Sequence, residues 1–219
     1  MSLLVIGSDR AEEFYNYTRK FAGDREVFLW PDVDAPEKVR YALAWQPKPG
    51  ELKKFPNLEL IVSVGAGVDH VFKDPELPNV PIVRYVDPDL TTRMVQFVVL
   101  HTLLHVRRMT EYRALQQRSE WQYLPEPMPQ QVRVGIMGLG VLGQAAARAL
   151  AGLGYRLRGW TRTPRPPGSV DGIECFAGEA GLDPFLNQTD ILVVLLPLTP
   201  DTRGIVNRAL LRKLSASGR

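Results

Sequence analysis

Three glycines within six residues, Gly138-Leu-Gly140-Val-Leu-Gly143, separate an apolar run, Val132 to Met137, from an alanine-rich stretch, Gln144 to Ala151. An apolar run that halts at glycine and restarts as a helix-former reads as strand, tight turn and helix. In that setting each glycine has a physical task. Gly138 permits the tight turn, Gly140 lets an anion approach the backbone, and Gly143 allows helix and strand to pack closely. The first N–H groups of a helix have no intrahelical partner, and a pyrophosphate is the anion this turn suits, with Val141 and Leu142 filling the turn between the glycines. The spacing alone is weak; the strand before it and the helix after it make it a dinucleotide-binding candidate. A purely structural glycine turn is the alternative.

The same alternation runs through all 219 residues. Leu3 to Ile6, Val27 to Trp30, Tyr41 to Trp45, Leu60 to Val64 and Ile82 to Val86 read as strands, and alternation with helical stretches predicts parallel α/β layering. Ser8 or Asp9 is expected to cap a first helix that carries Phe14, Tyr17 and Phe21 on one face and ends at Gly23. Thr92 to Arg108 reads as a long helix, apolar except for a stripe of Arg93, Gln96, His101, His105 and Arg108. Such a helix asks to be covered on more than one side, between domains or in a homodimer. Trp121 to Gln131, with Pro125, Pro127 and Pro129, reads as a linker. Beyond it, strands are expected at Val132 to Met137, Arg156 to Trp160, Ile173 to Phe176 and Ile191 to Leu196, with helices at Gly143 to Leu150, Leu182 to Leu186 and from Asn207 to Leu214.

Composition narrows the function classes. The longest unbroken aliphatic run, Ile191 to Leu196, is six residues, where a membrane helix needs ~20, and the start lacks a signal peptide's basic end and long apolar stretch. Membrane attachment is not expected, and a cytoplasmic protein is. The net charge of +3 comes from basic residues that are scattered rather than blocked, so no nucleic-acid partner is expected. The single Cys175 reads as an inert thiol. His101 and His105 share a helix face but lack a third ligand, so no metal is expected.

Cofactor type is read from the next strand, which ends Trp160-Thr161-Arg162-Thr163-Pro164-Arg165. An NAD site places an Asp or Glu on the ribose roughly 20 residues past the glycines, and no carboxylate stands here. A 2′-phosphate would meet Arg162, two hydroxyls and Arg165, and a guanidinium fork suits phosphate oxygens. NADP is therefore the expected cofactor and NAD the second candidate; a solvated strand-end arginine is the structural alternative. The strand Ile191 to Leu196 runs into Pro197-Leu-Thr-Pro200-Asp-Thr202-Arg-Gly-Ile-Val-Asn207, which puts Leu196, Pro197 and Thr202 at the ligand-binding edge of an open sheet.

The glycine loop, Trp160-Thr-Arg-Thr, Leu196-Pro-Leu-Thr-Pro-Asp-Thr-Arg-Gly-Ile-Val-Asn and, far upstream, Val64-Gly65-Ala66-Gly67-Val68-Asp69 together resemble the D-isomer-specific 2-hydroxyacid dehydrogenases. Tyr41-Ala-Leu-Ala-Trp45 and Trp121 point, within that family, to the glyoxylate/hydroxypyruvate reductase A type, and the resemblance spans almost the whole chain in order. It implies an α/β protein of two Rossmann-like, doubly wound parallel-sheet domains. Residues 1–99 would form a flavodoxin-like substrate-binding domain and 100–219 the N-terminal half of an NAD(P)-binding Rossmann domain. It also implies a small 2-keto or 2-hydroxy acid substrate whose carboxylate meets the N–H groups near Ala66 and Gly67, an active site between the domains, and Trp45 as a wall of the substrate pocket. A loop of small residues exposes its amides to an anion, in keeping with that role.

Family members carry a catalytic Arg in a strand after the last helix seen here, then an acidic residue, then a proton-donating His. Leu210-Leu-Arg-Lys-Leu214 matches the start of that helix region, Ser215-Ala-Ser-Gly-Arg219 departs from it, and none of the three catalytic positions is matched. Arg219 falls too early, and His70, His101 and His105 do not correspond to the catalytic His. The expectation is a chain truncated at its C-terminus, without catalytic residues and inactive alone, with its last apolar strand as an open sheet edge. A non-catalytic dinucleotide-binding or oligomerising protein is the alternative from a different class.

Overall fold

The computed structural model of the protein describes residues 2–7, 10–166, 168, 170 and 172–215. The chain divides into two compact units, Met1–Asp87 and Pro88–Arg219. The first contains β1 (Ser2–Gly7), α1 (Ala11–Phe21), β2 (Val27–Leu29), β3 (Val39–Trp45), β4 (Leu60–Ser63) and β5 (Ile82–Arg84). All five strands are parallel in the order β2-β1-β3-β4-β5, the flavodoxin-like arrangement. Its core is built on Leu4, Ile6, Ala42, Leu52, Ile61 and Val71. The strands lie where the apolar runs predict them.

Helix α1 differs from expectation in how it is held. Ser8 and Asp9, the expected caps, lie outside the described residues; Arg10 occupies the N-cap position and forms a two-pronged ion pair with Glu13 at 2.8 and 2.7 Å. Its apolar stripe is only partly covered within the unit: Phe14 is half-buried, and Tyr17 and Phe21 stand exposed with ring centroids 5.0 Å apart. Gly23, at φ +60°, follows the helix end as expected.

The second unit contains α2 (Pro88–Val106), α3 (Met109–Gln117), β6 (Arg133–Met137), α4 (Val141–Gly152), β7 (Arg156–Thr161), β8 (Ile173–Ala177), α5 (Gly178–Asn187), β9 (Ile191–Val194) and α6 (Arg208–Leu211). Its four parallel strands run β8-β7-β6-β9, which is 3-2-1-4 counted from β6, with β9 at the edge. The core packs Val134, Ile136, Ala146, Leu150 and Leu157 against Val98 of α2.

Helix α2 starts four residues before Thr92, with Pro88 at its first position, where a missing N–H is no loss. The helix lies wholly in the second unit, so position 99/100 falls inside it and the break in contacts comes at Asp87. Val98, Thr102 and Val106 are buried, whereas Phe97 and Leu100 are 58% and 53% exposed. It ends where Arg108 adopts φ +50°, and α3, which the apolar pattern does not reveal, follows directly. The proline-rich stretch has no α-helix or strand, as expected, but it joins α3 to β6 within one unit rather than linking two. The Leu124 N–H donates to the Tyr112 hydroxyl at 3.1 Å and helps to hold it there. Helix α5 is longer than predicted and contains Pro184, whose absent N–H breaks the helical ladder; burial of Phe185 and Leu186 holds it nonetheless. No helix among the described residues is long and apolar enough to cross a membrane.

The edge strand β9 is anchored at its start by Asp190. Its carboxylate accepts from the Arg133 guanidinium at 2.9 and 2.6 Å, from the Arg133 backbone N–H at 2.9 Å and from the Ser215 hydroxyl at 2.7 Å. Side-chain exposure is 31% for Arg133 and 11% for Asp190, so the pair is only partly desolvated. Breaking a fully buried pair costs ~3–5 kcal/mol, and Arg133→Met is expected to cost about 2 kcal/mol in urea unfolding.

Candidate functional site

In the second unit, three loops meet at one sheet edge because their strands are parallel and in register. Met137 of β6 pairs with Trp160 of β7 and with Val194 of β9, so the segments that follow each strand leave from the same side. The first is the glycine turn. Gly138 has φ +98°, and a Cβ there would lie 2.8 Å from the Leu195 carbonyl oxygen. A Cβ on Gly143 would stand 1.9 Å from the Gly138 carbonyl oxygen, an approach no side chain permits. At Gly140, the N-cap of α4, a Cβ would meet nothing within 4 Å, and no side chain caps this helix end. Val141 is exposed and Leu142 half-buried in the first helical turn. A strand, a turn that excludes side chains and open space over uncapped amides fit a pyrophosphate.

The residues after β7 divide by role. Trp160 is buried, and its indole N–H donates to the Gly178 carbonyl at 2.9 Å; it packs with Met137, Phe185 and Leu210 as a core residue. The Thr161 hydroxyl donates to the Thr163 carbonyl at 2.8 Å, a local turn bond, and Thr163 is exposed. Arg165 donates to the Leu139 carbonyl at 2.7 Å and so braces the glycine turn, joined by Gln144 at 2.9 Å on the same oxygen. Arg162 extends into solvent, with Nη1 3.3 Å from Oδ2 of Asp201.

Asp201 comes from the third loop, where Leu196 is half-buried and Pro197 exposed. The Thr202 hydroxyl donates to the Pro197 carbonyl at 2.6 Å and accepts the Thr199 N–H at 2.8 Å. Its bonds thus close its own turn.

The first unit carries the other candidate site. Strands β3 and β4 pair Ala44 with Ser63, so Trp45 and Gly65 come side by side at the carboxyl edge. A Cβ on Gly65 would lie 2.3 Å from Cζ3 of Trp45, so this glycine is required by the indole beside it. Ala66 is half-buried and Gly67 exposed. Beneath the loop lies a chain of bonds that motif reading does not find. The Gln46 N–H donates to Nδ1 of His70 at 3.1 Å; Nε2 therefore carries the proton and donates to Ser63 Oγ at 2.9 Å. The Ser63 hydroxyl in turn donates to the Gly67 carbonyl at 2.9 Å. Trp45 covers the imidazole with centroids 4.7 Å apart. Burial pushes the His70 pKa below its ordinary range and Lys73 adds to this, against the opposing pull of Asp69 and the Gly67 carbonyl. His70 is thus a neutral strut that fixes the loop.

A parallel 3-2-1-4 sheet with a glycine turn and uncapped helix at its carboxyl edge defines a Rossmann-type dinucleotide-binding protein. The chain belongs to the D-isomer specific 2-hydroxyacid dehydrogenase family, whose NAD binding domain matches residues 99–218. It is similar to glyoxylate/hydroxypyruvate reductase A of Yersinia enterocolitica, with 39% identity over 183 residues covering 81% of this chain. The chain spans 58% of the length of that curated relative. Among solved structures, it superposes on a D-isomer specific 2-hydroxyacid dehydrogenase from Xanthobacter autotrophicus, determined with NADPH and MES. The TM-score is 0.89 at 37% identity, covering 97% of this chain and 69% of that one. An NADPH-dependent glyoxylate/hydroxypyruvate reductase from Sinorhizobium meliloti, determined with NADP and sulfate, gives 0.87 at 45% identity, covering 98% of this chain and 68% of that one.

Because folding holds His70 neutral while the unfolded imidazole titrates near ~6.5, the native contribution is complete above that pH and is lost as pH falls. Unfolding free energy should therefore decline from pH 7 to pH 5, and the decline should be shallower in His70→Gln. His70→Ala, which removes the donor to Ser63 Oγ and leaves the Gln46 N–H without its acceptor, is expected to cost about 2–3 kcal/mol at pH 7 by urea unfolding.

Proposed function

We propose that this chain carries the cofactor- and carboxylate-binding parts of an NADP-dependent reductase of small 2-keto acids, of the glyoxylate or hydroxypyruvate type. The observation that carries the reading is the arrangement at the second unit's sheet edge: an open Gly140, uncapped α4 amides, and Arg162 where a ribose-binding carboxylate would otherwise stand. In this reading Gly138, Gly140 and Gly143 admit the pyrophosphate, the N–H groups of Val141 and Leu142 face it, and the Arg162 guanidinium takes the 2′-phosphate. The bound cofactor supplies the hydride for carbonyl reduction. In the first unit, Gly65 to Gly67 present their amides to the substrate carboxylate, Trp45 walls that pocket, and the Ser63–His70 chain keeps the loop in shape.

Polarising a carbonyl and delivering a proton require a placed donor and an acid of suitable pKa. In this reading the family's Arg, acid and His are not among these 219 residues. His70 is the buried imidazole of the substrate loop, with both ring nitrogens engaged.

Two measurements test this reading. A charge-assisted hydrogen bond contributes roughly 1.5–3 kcal/mol, so calorimetry at low salt should show NADPH bound about ten- to a hundredfold more tightly than NADH. Arg162→Ala should remove most of that difference and leave NADH almost unaffected; equal binding of the two cofactors by the unaltered protein contradicts the assignment. In glyoxylate-dependent NADPH oxidation, the 219-residue polypeptide should stay at background while a form extended to the relatives' length turns over. Turnover by the shorter form at enzymatic rates, roughly 1–1000 per second, would show that other residues do the chemistry.

A further inference from the structure

The β7 strand ends without a carboxylate, yet the fold brings one to the same place from elsewhere. We propose that Asp201 limits selectivity for the 2′-phosphorylated cofactor by competing with the phosphate for the Arg162 guanidinium. The inference rests on the assignment of Arg162 to the 2′-phosphate made above.

Three observations carry it. Oδ2 of Asp201 stands 3.3 Å from Nη1 of Arg162, although the two are 39 residues apart in sequence. Asp201 sits on a turn closed by its own bonds: Thr202 Oγ1 to the Pro197 carbonyl at 2.6 Å, Thr199 N–H to Thr202 Oγ1 at 2.8 Å, and Arg203 N–H to the Thr199 carbonyl at 2.9 Å. These bonds fix the turn that places Asp201 opposite the β7 end. Arg165, the other cation of the β7 loop, is engaged with the Leu139 carbonyl and does not substitute for Arg162. Arg203, on the same turn as Asp201, is exposed.

A phosphate monoester carries about −1.5 to −2 charges near pH 7. A phosphate on Arg162 has to displace the Asp201 carboxylate and then remain beside it, whereas NADH brings no charge to this point. The side chains of Arg162 and Asp201 are 79% and 71% exposed, so water and salt screen the competition and its effect is modest.

The test is a calorimetric cycle on the 219-residue chain with NADPH and NADH, using unaltered protein, Asp201→Asn, Arg162→Ala and the double variant. Asp201→Asn should tighten NADPH about two- to fivefold at low salt, leave NADH unchanged, and lose its effect in the Arg162→Ala background and at ~1 M salt. If Arg162→Ala weakens NADPH but Asp201→Asn does not tighten it, this inference falls alone. An equal shift for both cofactors would make Asp201 a structural part of the turn and also overturns it. If NADPH is insensitive to Arg162→Ala, the cofactor assignment itself falls, and the competition with it.

Discussion

Between the first turn of α4 and the end of β6 there is no room for a methyl group. A Cβ at Gly143 would lie 1.9 Å from the Gly138 oxygen, and Gly138 itself holds a φ of +98° that favours glycine. This contact sets the helix start directly over the sheet's carboxyl edge, with its uncapped amides turned toward open space at Gly140. The loops after β7 and β9 join the same edge because Met137 is paired on both sides. Everything proposed about the cofactor follows from that close approach.

Both candidate sites are made largely from backbone. In each, glycines matter for the side chain they lack: Gly140 leaves space free, and Gly65 makes way for Trp45. Side chains act from behind. Arg165 and Gln144 hold the Leu139 carbonyl of the glycine turn, and Ser63 and His70 hold the Gly67 end of the Gly65–Gly67 loop. A neutral imidazole suits that task, since it donates from one nitrogen and accepts at the other, bridging Ser63 and the Gln46 backbone. At the end of β7, Arg162 brings a full positive charge to the carboxyl edge of the sheet, and it does so beside a carboxylate.

What was legible in the sequence is what local periodicity and glycine spacing encode. The strands of both sheets, the glycine turn with its helix, and the start of α6 beside Asn207 all arise from residues close together in the chain. The missed features depend on distant partners or on single backbone angles. Asp201 meets Arg162 only after two strands pair with β6, and no spacing rule links residues 39 apart. Ser63 and His70 are seven residues apart with neither helix nor strand between them, and the course of that loop brings them together. Helix α3 is separated from α2 by two residues, Arg107 and the left-handed Arg108, whose side chain gives no sign of that conformation. Trp160 reads as a cofactor neighbour from its position at a strand end, whereas its indole is turned into the core to reach the Gly178 carbonyl.

The central claim is that the glycine turn holds a dinucleotide's pyrophosphate, and Gly140→Ala tests it most directly. The added methyl meets no atom of the protein within 4 Å, and Gly140 has φ −73°, which alanine adopts freely. The unliganded variant should therefore unfold within about 0.5 kcal/mol of the unaltered protein. A ligand at a hundred times its Kd stabilises the native state by ~2.7 kcal/mol, and in Gly140→Ala most of that gain from NADPH should vanish because the methyl fills the phosphate's place. A variant equally stable alone and still fully stabilised by NADPH would show that the cofactor's phosphates lie elsewhere.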